Sequence, residues 1–245
     1  MLAVFLDGRE DAGVSELARA IDTSKSVVHR MLQNLGEAGF ITADPVTRRY
    51  RLGAKMMRLG LVAVRSTSLN TAALPYLRSI KERTGETALL ALLHGDRRIY
   101  LEQLETQHTV RAAVPIGEEA PLYLGASGKA MLAFVPQPLR DSVLKAARGQ
   151  RRAGGAPLRI EDLVAELDEI RRTHVAVAAN ELALGAAAVA SPIFDSEGHV
   201  IGSLGVAGVS IRTDARRLAL YGTVTKSESE RLSKLLGWSG RVSSC

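Results

Sequence analysis

Two oily stripes of helical spacing lie almost end to end near the start of the chain. They limit its fold more than any other feature. Val14, Leu17, Ala18 and Ile21 fall at i, i+3, i+4 and i+7, the repeat of one helix face. Asp22 and Thr23 interrupt the pattern, and Val28, Met31, Leu32 and Leu35 resume it. Two helices joined by so short a break are the core of a helix-turn-helix. Ser15 is placed to cap the first helix. Gly36 and Gly39 bracket the end of the second, Gly39 as a left-handed cap. Upstream, Leu2, Phe5 and Leu6 mark one face of a further helix, which "DGREDAG" breaks. Downstream, Phe40 and Ile41 open a strand, "ADPVTRR" turns through Asp44 and Pro45, and Tyr50 and Leu52 return. Residues 1–53 therefore spell three helices and a hairpin, a winged helix-turn-helix.

Such a unit reads DNA when the second helix presents polar and basic side chains to base edges and nearby cations hold phosphates. Ser24, Lys25, Ser26, His29, Arg30 and Gln33 lie off the apolar stripe. The hydroxyls of Thr23, Ser24 and Ser26 stand at the helix N-terminus, which favours an anion. Arg48 and Arg49 occupy the hairpin tip, where paired arginines suit the minor groove or the flanking backbone. The charge agrees: residues 14–66 hold nine Lys and Arg against four Asp and Glu, while the whole chain is +6. Ser24, Lys25, Ser26, His29, Arg30, Arg48 and Arg49 are the expected DNA contacts.

Residues 54–70 are apolar round nearly the whole circumference, through Met56, Met57, Leu59, Leu61, Val62, Ala63 and Val64. A helix of that kind needs cover on more than one side, and a linker helix packed on a second subunit is expected. From residue 71 to 238 the pattern changes. A helix through Leu74, Leu77 and Ile80 ends at Gly85, and "ETALLALLHG" and "RRIYLEQLE" flank a Gly95–Asp96 turn. "TVRAAVPI" alternates like a half-buried strand, and "GASGKAMLAFV" passes from a small-residue loop into a helix. Helices near 138–147 and 161–173, the strands "VAVAANEL", "AAAVASPIFD" and "HVIGSLGVAGV", and a helix near 213–237 complete the order. This is an α+β domain with a mostly antiparallel sheet, followed by a tail at 239–245. "RGQRRAGGAP" is expected to be the mobile loop.

Cys245 is the one cysteine, so no disulfide framework or cysteine cluster forms within one chain, and a cytoplasmic setting is expected. His29, His94, His108, His174 and His199 are scattered, and no metal or cofactor is expected. No apolar run approaches the ~20 residues that span a bilayer, and no leader pattern opens the chain. Catalytic candidates are thin. "GASGKA" lacks phosphate-loop spacing, with Tyr123 where a glycine belongs and Ala130 where Ser or Thr would bind magnesium. Lys129 and Glu181 read better as structural groups than as catalysts.

The stretch "VSELARAIDTSKSVVHRMLQNLGEAGFITADPVTRRYRLG" resembles the N-terminal domain of IclR-type bacterial transcription regulators. The family's later landmarks follow in order: "TGET" at 84–87, "LGASGKAMLAF" at 124–134, Glu181 before Gly185, "VASPIFD" at 189–195 and "SKLLG" at 233–237. The resemblance covers nearly the whole chain. It implies a winged helix-turn-helix, a linker helix and a GAF-like effector domain. It also implies dimers or tetramers on palindromic operators, with repression the commoner role.

By the same resemblance, Gly125 and Ala126 match the family's pocket loop. Ala178, Ala188, Gly205 and Ala207 stand where members that bind small 2-oxo acids carry Asp, Cys and Ser. Each polar partner lost leaves a hydrogen bond unmade, at about 1–3 kcal/mol. A roomier, more apolar pocket follows, suited to a larger effector such as an aromatic acid or amide. Two functional classes stay open on sequence alone. One is an effector-controlled DNA-binding regulator, which the motif order favours. The other is a metabolite-binding or enzymatic α+β domain fronted by a helical oligomerisation module.

Overall fold

The computed structural model describes residues 1–7, 9–59 and 68–243. The chain divides into two compact units, Met1–Ser68 and Leu69–Cys245.

In the first unit a short 3-10 helix, Leu2–Asp7, precedes α1 (Val14–Ala20) and α2 (Lys25–Glu37). The cap of α1 is Gly13 rather than Ser15: the Glu16 carboxylate reaches back to accept from the Gly13 N–H at 3.1 Å. Ser24 caps α2, its Oγ accepting from the Val27 N–H. Gly39, at φ +77°, closes α2 as expected. The Phe40 N–H returns to the Leu35 carbonyl and the Gly39 N–H to that of Gly36, which satisfies carbonyls the helix end would leave bare. Strands β1 (Ile41–Ala43) and β2 (Tyr50–Leu52) form the antiparallel wing. Ala12 exchanges two backbone hydrogen bonds with Tyr50, tying the segment before α1 to the wing.

Phe5, Ala12, Leu17, Ala18, Val28, Leu32 and Ile41 make the core of this unit. The second stripe is narrower than its spacing suggests, because Met31 is 42% exposed and Leu35 only half-buried. Residues 54–59 are helical, with Met57 and Leu59 exposed. The remainder of the expected linker helix falls largely on residues 60–67, outside the described residues.

The second unit is built on a six-stranded antiparallel sheet in the order β5-β4-β3-β8-β7-β6. Its strands are β3 (Thr87–His94), β4 (Arg97–Leu104), β5 (Glu119–Pro121), β6 (Ala176–Ala179), β7 (Ala186–Phe194) and β8 (Val200–Val209). Alternation sends successive side chains to opposite faces, and β3, β7 and β8 are buried on both along most of their length. Leu90, Val189, Leu204 and Val206 face α3 (Ser68–Thr84) and α7 (Ala215–Leu235). Leu89, Ala91, Tyr100, Ala178 and Ala207 face α4 (Ala126–Leu132), α5 (Gln137–Ala147) and α6 (Ile160–Thr173).

Two segments depart from the sequence reading. "TVRAAVPI", residues 109–116, is irregular backbone rather than a strand. Its Val114 N–H is taken by the Gln103 side chain at 3.1 Å, where a strand would use a neighbouring backbone. "RGQRRAGGAP" is tied down: Arg151 bridges Pro157, and Arg152 pairs with Glu166 at 3.2 Å.

His174 ends α6 in the left-handed region, at φ +61°. Its ring meets Phe134 edge-on and lies near Phe194 and Trp238, the one tryptophan. Burial holds the imidazole below its ordinary pKa, and the Lys226 charge adds to this. As pH falls, the unfolded chain takes up this proton first. Stability from the neutral ring is therefore present above about pH 6.5, the ordinary histidine value, and is lost below it. Denaturation followed by Trp238 emission should show a lower midpoint at about pH 5.5 than at about pH 7.5. The difference should shrink in His174→Asn, since Asn tolerates the left-handed backbone. An equal difference in both proteins would clear His174 as the cause.

Candidate functional site

The exposed side of α2 carries the first site. Lys25, His29 and Arg30 all point away from the Val28 and Leu32 core and are exposed. Among the described residues none of the three has an ion-pair partner. Ser24 and Ser26 share a hydrogen bond at 3.0 Å between their hydroxyls, at the start of the helix.

The wing separates its two arginines. Asp44 Oδ1 accepts from the Val46 and Thr47 N–H groups at 2.9 and 2.8 Å. Those bonds, Thr47 first, hold its carboxyl below the usual range. This folds the turn and turns Arg48 outward at φ +54°, exposed and unpaired among the described residues. Arg49 points inward instead. Its Nε donates to Asp11 at 2.6 Å, and its two terminal nitrogens donate to Glu16 at 3.2 and 2.9 Å. The pair lowers the Glu16 pKa and raises that of Arg49. Arg51 is likewise held, by Asp44 at 2.8 Å. The expected contact residues thus divide: Ser24, Lys25, Ser26, His29, Arg30 and Arg48 are open to a ligand, while Arg49 braces the wing against α1.

The second site is a cavity of about 280 Å³ in the second unit, bounded by strands β3, β4 and β6 to β8, the loop 112–118 and the loop 181–183. Register aligns three of the expected positions: Ala178 opposes Ala188, and Ala188 opposes Ala207. They form one small-residue row across three strands, and with Gly125 they line the cavity. Ala126 and Gly205 do not line it. Ala126 is buried in the core at the start of α4, and a side chain on Gly205 would meet Ser127 of that helix.

A buried charge cluster closes one end. Lys129 donates to Glu181 Oε1 and Glu166 Oε2, both at 2.6 Å, and to the Val177 carbonyl. The second Glu181 oxygen accepts from the Gly125 N–H at 2.8 Å. The Gly125 N–H, though it belongs to the expected pocket loop, is therefore engaged inside the protein.

Sequence reasoning missed Arg98. It lies one residue into β4, is fully buried, and lines the cavity. The signal was at most partial: Arg98 and Tyr100 alternate with Ile99 and Leu101, but alternation does not say which face turns inward, and the neighbouring Arg97 makes the pair look like a solvated charge run.

A short-turn helix pair with open cations, a braced wing and a second, cavity-bearing unit make up a transcriptional regulator of the helix-turn-helix class. Residues 1–45 match the IclR helix-turn-helix domain, and residues 61–234 match the bacterial transcriptional regulator IclR C-terminal domain. The chain belongs to the IclR family of bacterial transcriptional regulators. It is 33% identical to the regulator BhcR of Paracoccus denitrificans over 218 residues, 89% of this chain and 78% of BhcR. It is 28% identical to KipR of Bacillus subtilis, over 97% of this chain and 94% of that one. Among solved structures, an IclR-type regulator from a Silicibacter species superposes with a TM-score of 0.83 at 29% identity, covering 97% of this chain and 94% of the other. These relatives are named as regulators, not as enzymes. Among the described residues no helix is long and apolar enough to cross a membrane.

Proposed function

We propose that the chain is an effector-controlled repressor of a catabolic operon, working in the cytoplasm as a homodimer or homotetramer on a palindromic operator. In this reading residues 1–53 bind DNA, residues 54–70 link and pair the subunits, and residues 71–238 sense a small organic acid or related compound. Ser24, Lys25, Ser26, His29, Arg30 and Arg48 face the DNA, and Arg49 sets the wing. Gly125, Ala178, Ala188 and Ala207 shape the effector site, backed by Ala126 and Gly205.

The observation that carries this reading is the cavity of about 280 Å³ on the chain that also carries the helix-turn-helix. Its volume falls near the lower end of ordinary ligand pockets, so the cavity is less roomy than the lost polar groups suggest and favours a compact effector with an apolar body, aromatic or aliphatic, though larger than a 2-oxo acid. An effector shifts DNA affinity only if it binds two arrangements of the paired heads with different free energy. A thermal-shift screen of organic acids and amides finds compounds that fill the cavity. Fluorescence anisotropy then measures binding to the DNA upstream of the gene with and without each one. At least one stabilising compound is expected to change the affinity severalfold. Upstream DNA bound no better than unrelated DNA would overturn the regulator reading. Cavity ligands that leave DNA binding untouched would overturn the effector reading.

A further inference from the structure

The cavity wall is mostly apolar, and besides the carboxylates of Glu118 and Glu181 one cation enters it. Arg98 is fully buried, and its NH1 donates to the Pro121 and Leu124 carbonyls at 2.7 and 2.6 Å. Its Nε and NH2 are buried with no hydrogen-bond partner among the described residues. NH2 lies 3.3 Å from where a Cβ on Gly125 would stand, at the cavity wall. The guanidinium is 5.2 Å from the centre of the Tyr100 ring, a partial compensation for its charge.

Among the described residues no neighbouring anion is left over for it. Lys129 and Arg152 are balanced by Glu166 and Glu181, with contacts of 2.6, 2.6, 3.2 and 4.0 Å. Glu118 also lines the cavity, but it is exposed and makes no ion pair with Arg98 among the described residues. A buried guanidinium with two idle donors is costly unless something pairs with it. Nε and NH2 share one edge of the fork, and that edge takes a carboxylate through two parallel hydrogen bonds.

We propose that Arg98 is the anion receptor of the cavity. The effector is a monocarboxylate whose carboxylate lies on the Nε and NH2 edge of Arg98, with its apolar body against Leu89, Ala178, Ala188 and Ala207. The proposal rests on the reading that the cavity takes an effector, and it narrows that reading from acids and amides to acids. It also accounts for the Ala and Gly positions where the acid-binding members are polar, because the recognition group sits on a different strand.

The test is isothermal titration of the full chain with matched acids and amides: benzoate and benzamide, phenylacetate and phenylacetamide, hexanoate and hexanamide. At least one acid is expected to bind about tenfold or more tightly than its amide, the size of a charge-assisted pair of hydrogen bonds. In Arg98→Gln that acid should fall to the level of its amide while the amide is unchanged. The wild-type comparison stands alone if the variant fails to fold. Amides binding as tightly as acids, or an acid unaffected in a folded Arg98→Gln, would overturn the assignment and leave the effector reading intact. No binding by any of the six compounds would overturn the assignment. If a broader thermal-shift screen also finds no cavity ligand, the effector reading falls with it.

Discussion

Lys129→Met should lower the melting temperature of the second unit by roughly 10 °C. The ammonium is 2% exposed, between Glu181, itself 5% exposed, and Glu166. Removing it leaves the Glu181 carboxylate buried with the Gly125 N–H as its remaining hydrogen bond and Arg152 4.0 Å away. Breaking a buried pair from one side costs about 3–5 kcal/mol. Each kcal/mol shifts the midpoint by about 2–4 °C in a domain of this size. Glu166 suffers less, because it is partly exposed and keeps Arg152. The double variant Lys129→Met with Glu181→Gln should recover most of the loss, since it removes the stranded charge and keeps an acceptor for Gly125. Differential scanning calorimetry decides it. A single variant within about 2 °C of wild type, or a double variant no better than the single, would mean that the cluster does not hold this end of the cavity. The same cluster fixes the Gly125 loop, so the single variant should also bind cavity ligands more weakly.

The cavity was partly legible in the sequence, and the reason differs residue by residue. Ala178, Ala188 and Ala207 could be placed because the family resemblance fixes their offsets from Gly185 and "VASPIFD", and strand register then brings them together. Arg98 could not. Its carbonyl partners, Pro121 and Leu124, are 23 and 26 residues further on, and nothing in "RRIYLEQL" shows which arginine turns inward. Residues 109–116 failed for a related cause. Alternation records which side chains are half-buried, but it does not say whether a neighbouring strand exists to take the backbone N–H groups. Here a glutamine side chain takes one of them.

The first unit was more legible because its signals are local. The stripe of α1, the Gly39 cap and the Asp44 turn each act within a few residues, and each appears where the sequence places it. The wing arginines are the exception. Arg48 and Arg49 look equivalent in sequence, yet Arg49 is captured by Asp11 and Glu16, 38 and 33 residues earlier. Pairing across that distance is a tertiary fact that a charge count does not contain. The same pairs occupy one of the unit's arginines, so the cations left for a polyanion are fewer than a count of Lys and Arg suggests.

Those remaining cations set the largest functional effect. Lys25→Ala, Arg30→Ala and Arg48→Ala together should weaken operator binding by about 100-fold or more, at about 1–3 kcal/mol for each direct contact. They should also flatten the plot of log affinity against log salt by about one unit for each phosphate contact removed per head. Arg49→Ala should behave differently. Its guanidinium already holds two carboxylates, so its removal releases no counterion from DNA and should leave the salt slope unchanged. It does free Asp11 and Glu16 and unpins the wing from α1, which should weaken affinity moderately and lower the stability of the first unit. Anisotropy titrations across salt concentration, with thermal denaturation of each variant, separate the two behaviours. A steep loss of slope in Arg49→Ala would make it a direct contact that exchanges its carboxylates for phosphate. An unchanged slope in the triple variant would place the DNA on some other face of the unit.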